Sequence, residues 1–254
     1  MRINKLALTN FRSYNSLELD LEPGVITFIG DNGAGKTNIA ESLIYLAFLS
    51  SHRVANNVPL ISLGNQQAII RAEVQRDERT LQIDLEINAS KANRARINGN
   101  PTRSQRELLG AIQIVYFSPE DLDLVRGEPG NRRDFLDRLL ITRTPRLAGV
   151  IADYERVVKQ RNALLKTRTS AAALVPWNEQ LIKLGAELTA ERIALVDVLN
   201  PWVAKNYANL NEVKPASISY KCSTEGVTKN IDDNIAALTA RLEEVAYQEI
   251  ERGV

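Results

Sequence analysis

Gly30-Asp31-Asn32-Gly33-Ala34-Gly35-Lys36-Thr37 decides how the rest of this 254-residue chain is read. The stretch matches G-x-x-x-x-G-K-[ST] at every fixed position. Glycines let the backbone curl so that successive N–H groups face a phosphate. A helix starting at Lys36 adds the positive end of its dipole. In that arrangement the Lys36 ammonium reaches the β- and γ-phosphates and the Thr37 hydroxyl binds Mg²⁺. The flanks agree with this reading. Val25–Ile29 is a short apolar run with a glycine on either side, which predicts a buried central strand. Lys36–Leu49 is apolar nearly all round, which predicts a buried helix. A chance glycine-rich turn would not bring both flanks with it, so nucleotide binding is the first functional expectation.

Outward from the loop, the first half of the chain reads as strands. Arg2–Thr9 and Ser16–Leu21 alternate apolar and polar residues. Ala68–Val74 and Thr80–Ile87 look like paired strands joined by Gln75-Arg76-Asp77-Glu78. Asn98-Gly99 after Arg94–Ile97 is a tight-turn signal. Ile112–Phe117 reads as a second buried strand. From Asn131 the period becomes helical. Leu147, Ile151, Tyr154, Val158, Arg161 and Leu165 form one stripe. Pro176 is expected to open a second long helix, with the stripe Trp177, Leu181, Leu184, Leu188, Leu195, Leu199 and Trp202. The polar segment Thr167–Ala173 would join the two antiparallel helices, either as an ordinary bundle or as a projecting coiled-coil-like arm. Ser217–Cys222 reads as a strand and Asn230–Glu251 as a last helix. A boundary near Gly127, Pro129 and Gly130 would divide a lobe 1–128 from a helical lobe 129–254.

Composition narrows the chemistry. One cysteine excludes an intrachain disulfide, and one cysteine with one histidine cannot build a Cys/His zinc cluster. The start interleaves Lys and Arg with Leu and has no signal-peptide core. The most apolar stretch, Ile39–Leu49, is too short for a bilayer and carries Glu41. A cytoplasmic protein without membrane attachment is the expectation. A small GTPase would need N-K-x-D after the loop. The one Asn-Lys pair, Asn4-Lys5, precedes it and has no Asp two residues on. Strands ahead of the loop and a helical lobe behind it instead suit an ABC-type ATPase, with a small-molecule nucleotide kinase as the alternative.

Several blocks then carry a resemblance. Leu8-Thr9-Asn10-Phe11-Arg12-Ser13-Tyr14, followed by Gly30 to Asn38, resembles the opening of SMC-type ABC ATPases. Ser51-His52-Arg53, Ala95-Arg96-Ile97-Asn98-Gly99 and Phe117-Ser118-Pro119-Glu120-Asp121-Leu122 resemble the RecF family. So do Asn131-Arg132-Arg133-Asp134-Phe135-Leu136-Asp137 and Lys159-Gln160-Arg161-Asn162. The blocks occur in the family's order along essentially the whole chain.

The resemblance implies an α/β fold: a P-loop ATPase head of the ABC/SMC type with an antiparallel β layer and a helical second lobe. It implies ATP and Mg²⁺ as cofactors, with Asn32 to Thr37 on the triphosphate, Thr37 on the metal, and Gly30, Asp31 and Asn38 beside them. Arg12 would lie near the nucleotide, Arg53 near the nucleotide or DNA, and Glu120 or Asp121 at the Q-loop position. As partners it implies single-stranded and gapped double-stranded DNA, RecR- and RecO-like repair proteins, and a second copy in an ATP-dependent homodimer. The role implied is repair and replication restart at gaps and junctions, helping a recombinase to load. Another SMC-like head remains the nearest alternative. No apolar run ending in Asp-Glu and no signature motif occur in this chain, and in the family that segment follows a block like Glu251-Arg252-Gly253-Val254. A truncated gene product or a piece of a longer protein, binding ATP without turning it over, is the resulting expectation.

The net charge of +1 conceals two basic runs. Residues 91–106 hold Lys91, Arg94, Arg96, Arg103 and Arg106 with no acid. Residues 132–168 hold ten basic residues against four acidic ones. Either is a solvated face or a phosphate-contacting surface. The first run, with Arg53, is the candidate DNA contact: Arg53, Lys91, Arg94, Arg96 and Arg103.

Overall fold

Three tight reversals build the first half of the molecule. Strands β1 (Arg2–Phe11) and β2 (Tyr14–Asp20) turn through Arg12-Ser13, because Phe11 pairs with Tyr14. Strands β3 (Gln67–Arg76) and β4 (Arg79–Asn88) turn through Asp77-Glu78. Strands β5 (Arg94–Ile97) and β6 (Asn100–Pro101) turn through Asn98-Gly99, both at positive φ, as this hairpin turn requires. All pairings are antiparallel, and the six-stranded sheet has the order β2-β1-β3-β4-β5-β6. The computed structural model describes every residue except Ala55, residues 168–169 and 211–213, and Val254; the side chain of Glu120 is also outside the described residues.

Period-two alternation gives this sheet one dry face. Leu6 and Leu8 of β1, Ile70 and Val74 of β3, Ile83, Leu85 and Ile87 of β4, and Ala95 of β5 are all buried. Helix α1 (Lys36–Phe48) lays Ile39, Tyr45, Leu46 and Ala47 into the same core.

Two strands expected in the first half are not strands. Val25–Ile29 and the residues after Ile112 are irregular, and most of their apolar side chains lie in the open: Val25 and Val115 are each 98% exposed, while Ile114 is half-buried against the core. A central parallel strand needs hydrogen-bonding partners on both edges. The antiparallel sheet has the open order β2-β1-β3-β4-β5-β6, and neither segment pairs with it. Ile112 alone stays buried, through a bridge to Leu109.

The second half is helical. Short α2 (Asp123–Arg126) and α3 (Pro129–Arg143) lead to α4 (Leu147–Lys166), α5 (Ala171–Ala208) and α6 (Ile231–Arg252). Arg161 of α4 meets Asn178 of α5, and Arg146 beside α4 meets Glu187 further along α5, so these two run antiparallel. Arg161 also meets Glu249 of α6, and Leu165 meets Gly253 just beyond it, so α4 and α6 run in the same direction. The arrangement is a three-helix bundle, not a two-helix arm. Helix α5 begins at Ala171 rather than Pro176, because Leu174 is buried and extends the apolar face upstream. Pro176 and Pro201 both lie inside the helix. Trp202, expected on the buried stripe, is 61% exposed. Ser217–Cys222 forms no strand; its Ile218 N–H donates to the side chain of Asn200 on α5 instead. Asn230 caps α6 by accepting from the N–H groups of Asp232 and Asp233.

The chain divides into two units, Met1–Val125 with Ile141–Arg143, and Arg126–Leu140 with Thr144–Val254. The division falls at Val125/Arg126, three residues before the expected one, and it assigns the end of α3 to the first unit.

Candidate functional site

Three segments converge behind the glycine-rich loop: the β1–β2 turn, the first turns of α1, and residues 51–53. The loop has the backbone its sequence predicts, with Gly30, Gly33 and Gly35 at φ 153°, 87° and 94°. Gly35 caps α1, and the helix starts at Lys36. The Lys36 ammonium donates to the carbonyls of Gly30 and Asp31 at 2.6 and 2.7 Å, spanning the loop. Thr37 is exposed on the first turn of the helix. This donor set fits a polyphosphate: curled backbone N–H groups, one ammonium and a helix N-terminus. Among the described residues no group of three His, Cys, Asp or Glu side chains could cage a metal ion. The Thr37 hydroxyl, exposed beside the loop, is one oxygen that could ligate a metal ion there.

The β1–β2 turn leans directly on this loop. The Tyr14 hydroxyl donates to the Ala34 carbonyl at 3.4 Å, and Asn38 Nδ2 donates to Ser13 Oγ at 3.0 Å. Arg12, at φ 55°, occupies a turn position that glycine takes more cheaply. Its surroundings hold it there. The Arg12 N–H donates to Leu60 O, and the Ser62 hydroxyl donates to Arg12 O. Its guanidinium donates twice to Glu41, at 2.9 and 2.5 Å, and once to Pro59 O at 2.9 Å.

Glu41 is fully buried on α1 and collects three partners. Besides Arg12, it accepts from Ser51 Oγ at 2.6 Å and from Arg53 at 3.3 Å. Burial by itself pushes the carboxyl pKa up. The Arg12 and Ser51 hydrogen bonds and the charges of Arg12 and Arg53 outweigh it and hold Glu41 below the ordinary carboxylate value. Arg53 also donates to Asn38 Oδ1 at 3.2 Å.

The predicted residues therefore fall into three groups. Gly30 to Asn38, Arg12 and Arg53 are brought together. Lys91, Arg94, Arg96 and Arg103 lie elsewhere in the same unit, exposed around β5 and β6. Glu120 lies in the helical turn Pro119–Leu122, with its side chain outside the described residues, while the Asp121 carboxylate caps that turn by accepting from Ser118 N–H. Sequence reasoning missed Glu41, although a charge in an otherwise apolar helix is a signal for a buried, partnered group. It also missed Arg71, Asp84 and Glu86, which line one groove with Arg94, Arg96 and Arg103.

Cross-strand register explains that groove. Asp84 lies between Arg71 on β3 and Arg96 on β5, and Glu86 lies opposite Arg94. Arg71 and Asp84 form an ion pair at 3.4 Å. The run that is purely basic along the chain is partly neutralised across the sheet.

Glycine-rich loop, following helix and antiparallel layer together define a P-loop ATPase head, and residues 1–230 match the model of the AAA ATPase domain family. The chain is 46% identical to the DNA replication and repair protein RecF of Streptomyces avermitilis, over all of this chain and 71% of the relative. It is 42% identical to RecF of Nocardioides sp., covering 73% of that protein, and 44% identical to RecF of Rhodococcus erythropolis, covering 69%. The chain belongs to the RecF family. A solved structure of the recombination mediator protein RecF-ATPrS superposes with a TM-score of 0.91 over 99% of this chain and 69% of that one; at 22% identity this likeness speaks for the fold. Among the described residues no helix is long and apolar enough to cross a membrane.

Proposed function

We propose that this chain is the ATP-binding head of a cytoplasmic DNA repair and replication protein. The observation that carries the reading is the Lys36 ammonium spanning a loop of three positive-φ glycines at a helix N-terminus. The RecF kinship, and the nucleotide named for the solved relative, supply its identity as ATP. Loop N–H groups from Asn32 to Gly35 and Lys36 hold the phosphates, and Thr37 holds Mg²⁺. A bound Mg²⁺ neutralises phosphate charge. The unit Met1–Val125 with Ile141–Arg143 is the ATPase lobe, and the unit Arg126–Leu140 with Thr144–Val254 is the helical lobe. In keeping with the family resemblance, ATP-bound copies pair at gapped or junction DNA and, with RecR- and RecO-like partners, help a recombinase to load.

For DNA, the reading is sequence-independent contact with phosphates along the groove of Arg71, Arg94, Arg96 and Arg103, with the exposed Lys91 as a further contact. Arg53 serves the nucleotide end. Titration of the purified chain with MgATP tests the first half of the proposal. Binding that is lost in Lys36→Ala supports it, and equal binding by both overturns it. Turnover read in the same assay tests the expectation that this chain binds without hydrolysing. Gel shift on gapped DNA, with Arg94, Arg96 and Arg103 reversed to Glu, tests the second half. Affinity should fall while ATP binding stays; unchanged affinity removes this surface from the account.

A further inference from the structure

Glu41 is a carboxylate that no phosphate-binding motif calls for. It lies on α1 beyond Thr37 and is wholly buried. Its two arginines are held differently. Arg12 engages three nitrogens, and its side chain is 16% exposed. Arg53 engages one nitrogen, shared between Glu41 at 3.3 Å and Asn38 at 3.2 Å, and its side chain is 41% exposed. Arg12 is thus fixed, and Arg53 is lightly braced. Asn38 closes the circuit: its carbonyl oxygen accepts from Arg53 while its amide donates to Ser13. Ser51 joins from the other side, donating to Glu41 and accepting from the Arg53 N–H.

We infer that Glu41 is a positioning residue: fixed by Arg12, it braces Arg53 against the first turn of α1, where the Arg53 charge strengthens binding of a polyanionic nucleotide. Coulomb attraction between the guanidinium and the phosphates supplies the gain, and salt reduces it because Arg53 is half-exposed. The inference rests on the proposed ATP site and deepens it. The competing role for Glu41 is only to neutralise Arg12 in the core. The two roles differ in whether Glu41 acts on nucleotide through Arg53.

A double-mutant cycle on ATP affinity separates them. The parent chain, Glu41→Gln, Arg53→Ala and the double variant are titrated calorimetrically with MgATP at low salt. Each single variant should bind about fivefold more weakly, and Glu41→Gln should lose nothing further once Arg53 is gone. Arg53→Lys should recover part of the affinity. Equal losses from Glu41→Gln in both backgrounds overturn the inference and assign Glu41 to packing. Should Glu41→Gln not fold, Glu41→Asp, which keeps the charge and shortens its reach toward Arg53, replaces it in the cycle, with the same two readings. Failure of the parent chain to bind ATP overturns the phosphate-site reading and the inference together, whereas additive losses overturn the inference alone.

Discussion

Tyr14 stands so close over Gly35 that a methyl group there would meet its hydroxyl oxygen at 2.7 Å. Ser13 Oγ closes the other side at 2.8 Å, and Gly35 itself sits at φ +94°. The glycine therefore serves the hairpin behind the loop as much as any phosphate in front of it. Gly35→Ala must displace the Tyr14 and Ser13 side chains from the loop and accept a strained φ. It should destabilise the chain by about 2 kcal/mol and weaken ATP binding at least about tenfold. Gly33→Ala is the control, because open space surrounds it and only its φ of +87° resists. About 1 kcal/mol and a smaller affinity loss are expected there. Urea unfolding and calorimetric titration read both. Equal effects at the two positions would show that the hairpin does not buttress the loop.

Arg12 sits at a strained backbone angle in order to reach Glu41. Arg12→Ala keeps the strain and leaves a buried carboxylate with Ser51 and Arg53 alone. Breaking a buried pair from one side costs about 3–5 kcal/mol, and the part-exposed Arg53 should keep the cost near the lower end. Arg12→Gly loses the same ion pair but relaxes the turn, so it should be about 1 kcal/mol more stable than Arg12→Ala. The pH dependence follows from the lowered Glu41 pKa. A carboxyl whose folded pKa lies below its unfolded value stabilises the fold above the unfolded pKa. That stability is lost as pH falls through the folded one. In Arg12→Ala the acid transition should move to higher pH, as followed by far-UV circular dichroism. An unmoved transition would mean that Glu41 is not among the groups that set it.

Local signals were legible where they needed no distant partner. The glycines of the loop and the Asn98-Gly99 turn were readable, since each is decided within a few residues. Val25–Ile29 was misread because its apolarity says that it wants to be covered but not what covers it. Pro176 was read as a helix start, yet burial of Leu174 outweighed the local rule and carried the helix upstream. The Arg94–Arg106 run looked uncompensated because its acids, Asp84 and Glu86, arrive from another strand. In the site, the phosphate loop was legible from its motif. The Glu41 brace was not, because it joins residues 12, 41 and 53 only through the fold.

Helix α6 is tied to α4 by Arg161, whose nitrogens reach Glu249 at 2.6 and 3.3 Å while a third reaches Asn178. The Arg161 side chain is 6% exposed and that of Glu249 is 24% exposed. Glu249→Gln leaves a buried guanidinium without its counter-charge and should cost about 3 kcal/mol. Replacing both partners, as Arg161→Met with Glu249→Leu, should recover most of that. Trp177 and Trp202, the chain's two tryptophans, both lie on α5, so urea unfolding followed by their fluorescence reports this unit. A double variant no better than the single one would show that the charges themselves are required.

Glu155 is a cost rather than a support. Burial first, and then the charges of Asp134 and Asp137, push its pKa above the ordinary carboxylate value. A raised folded pKa means that the ionised form opposes folding, so stability should rise as pH falls through that value. Glu155→Gln should therefore raise the tryptophan-detected urea midpoint at pH 7. The residue is only partly desolvated and still reaches water, so the gain should stay under about 1 kcal/mol. The gain should vanish at acid pH, where the parent residue is itself neutral. A gain that persists there would trace to packing instead of charge.

Asp84 lies in register between Arg71 and Arg96, and Glu86 lies opposite Arg94. Asp84 pairs with Arg71, and both acids subtract from the field that a nucleic-acid backbone would meet. Neutralising them, as Asp84→Asn with Glu86→Gln, should strengthen binding to gapped DNA several-fold at low salt. It should also steepen the slope of log affinity against log salt by roughly one or two, since more cations are left to displace counterions. This is the opposite sign to reversing Arg94, Arg96 and Arg103 to Glu, and no loss of fold can mimic it. Filter binding across a salt series reads both quantities. Unchanged affinity and slope would mean that DNA does not lie on this face of the sheet.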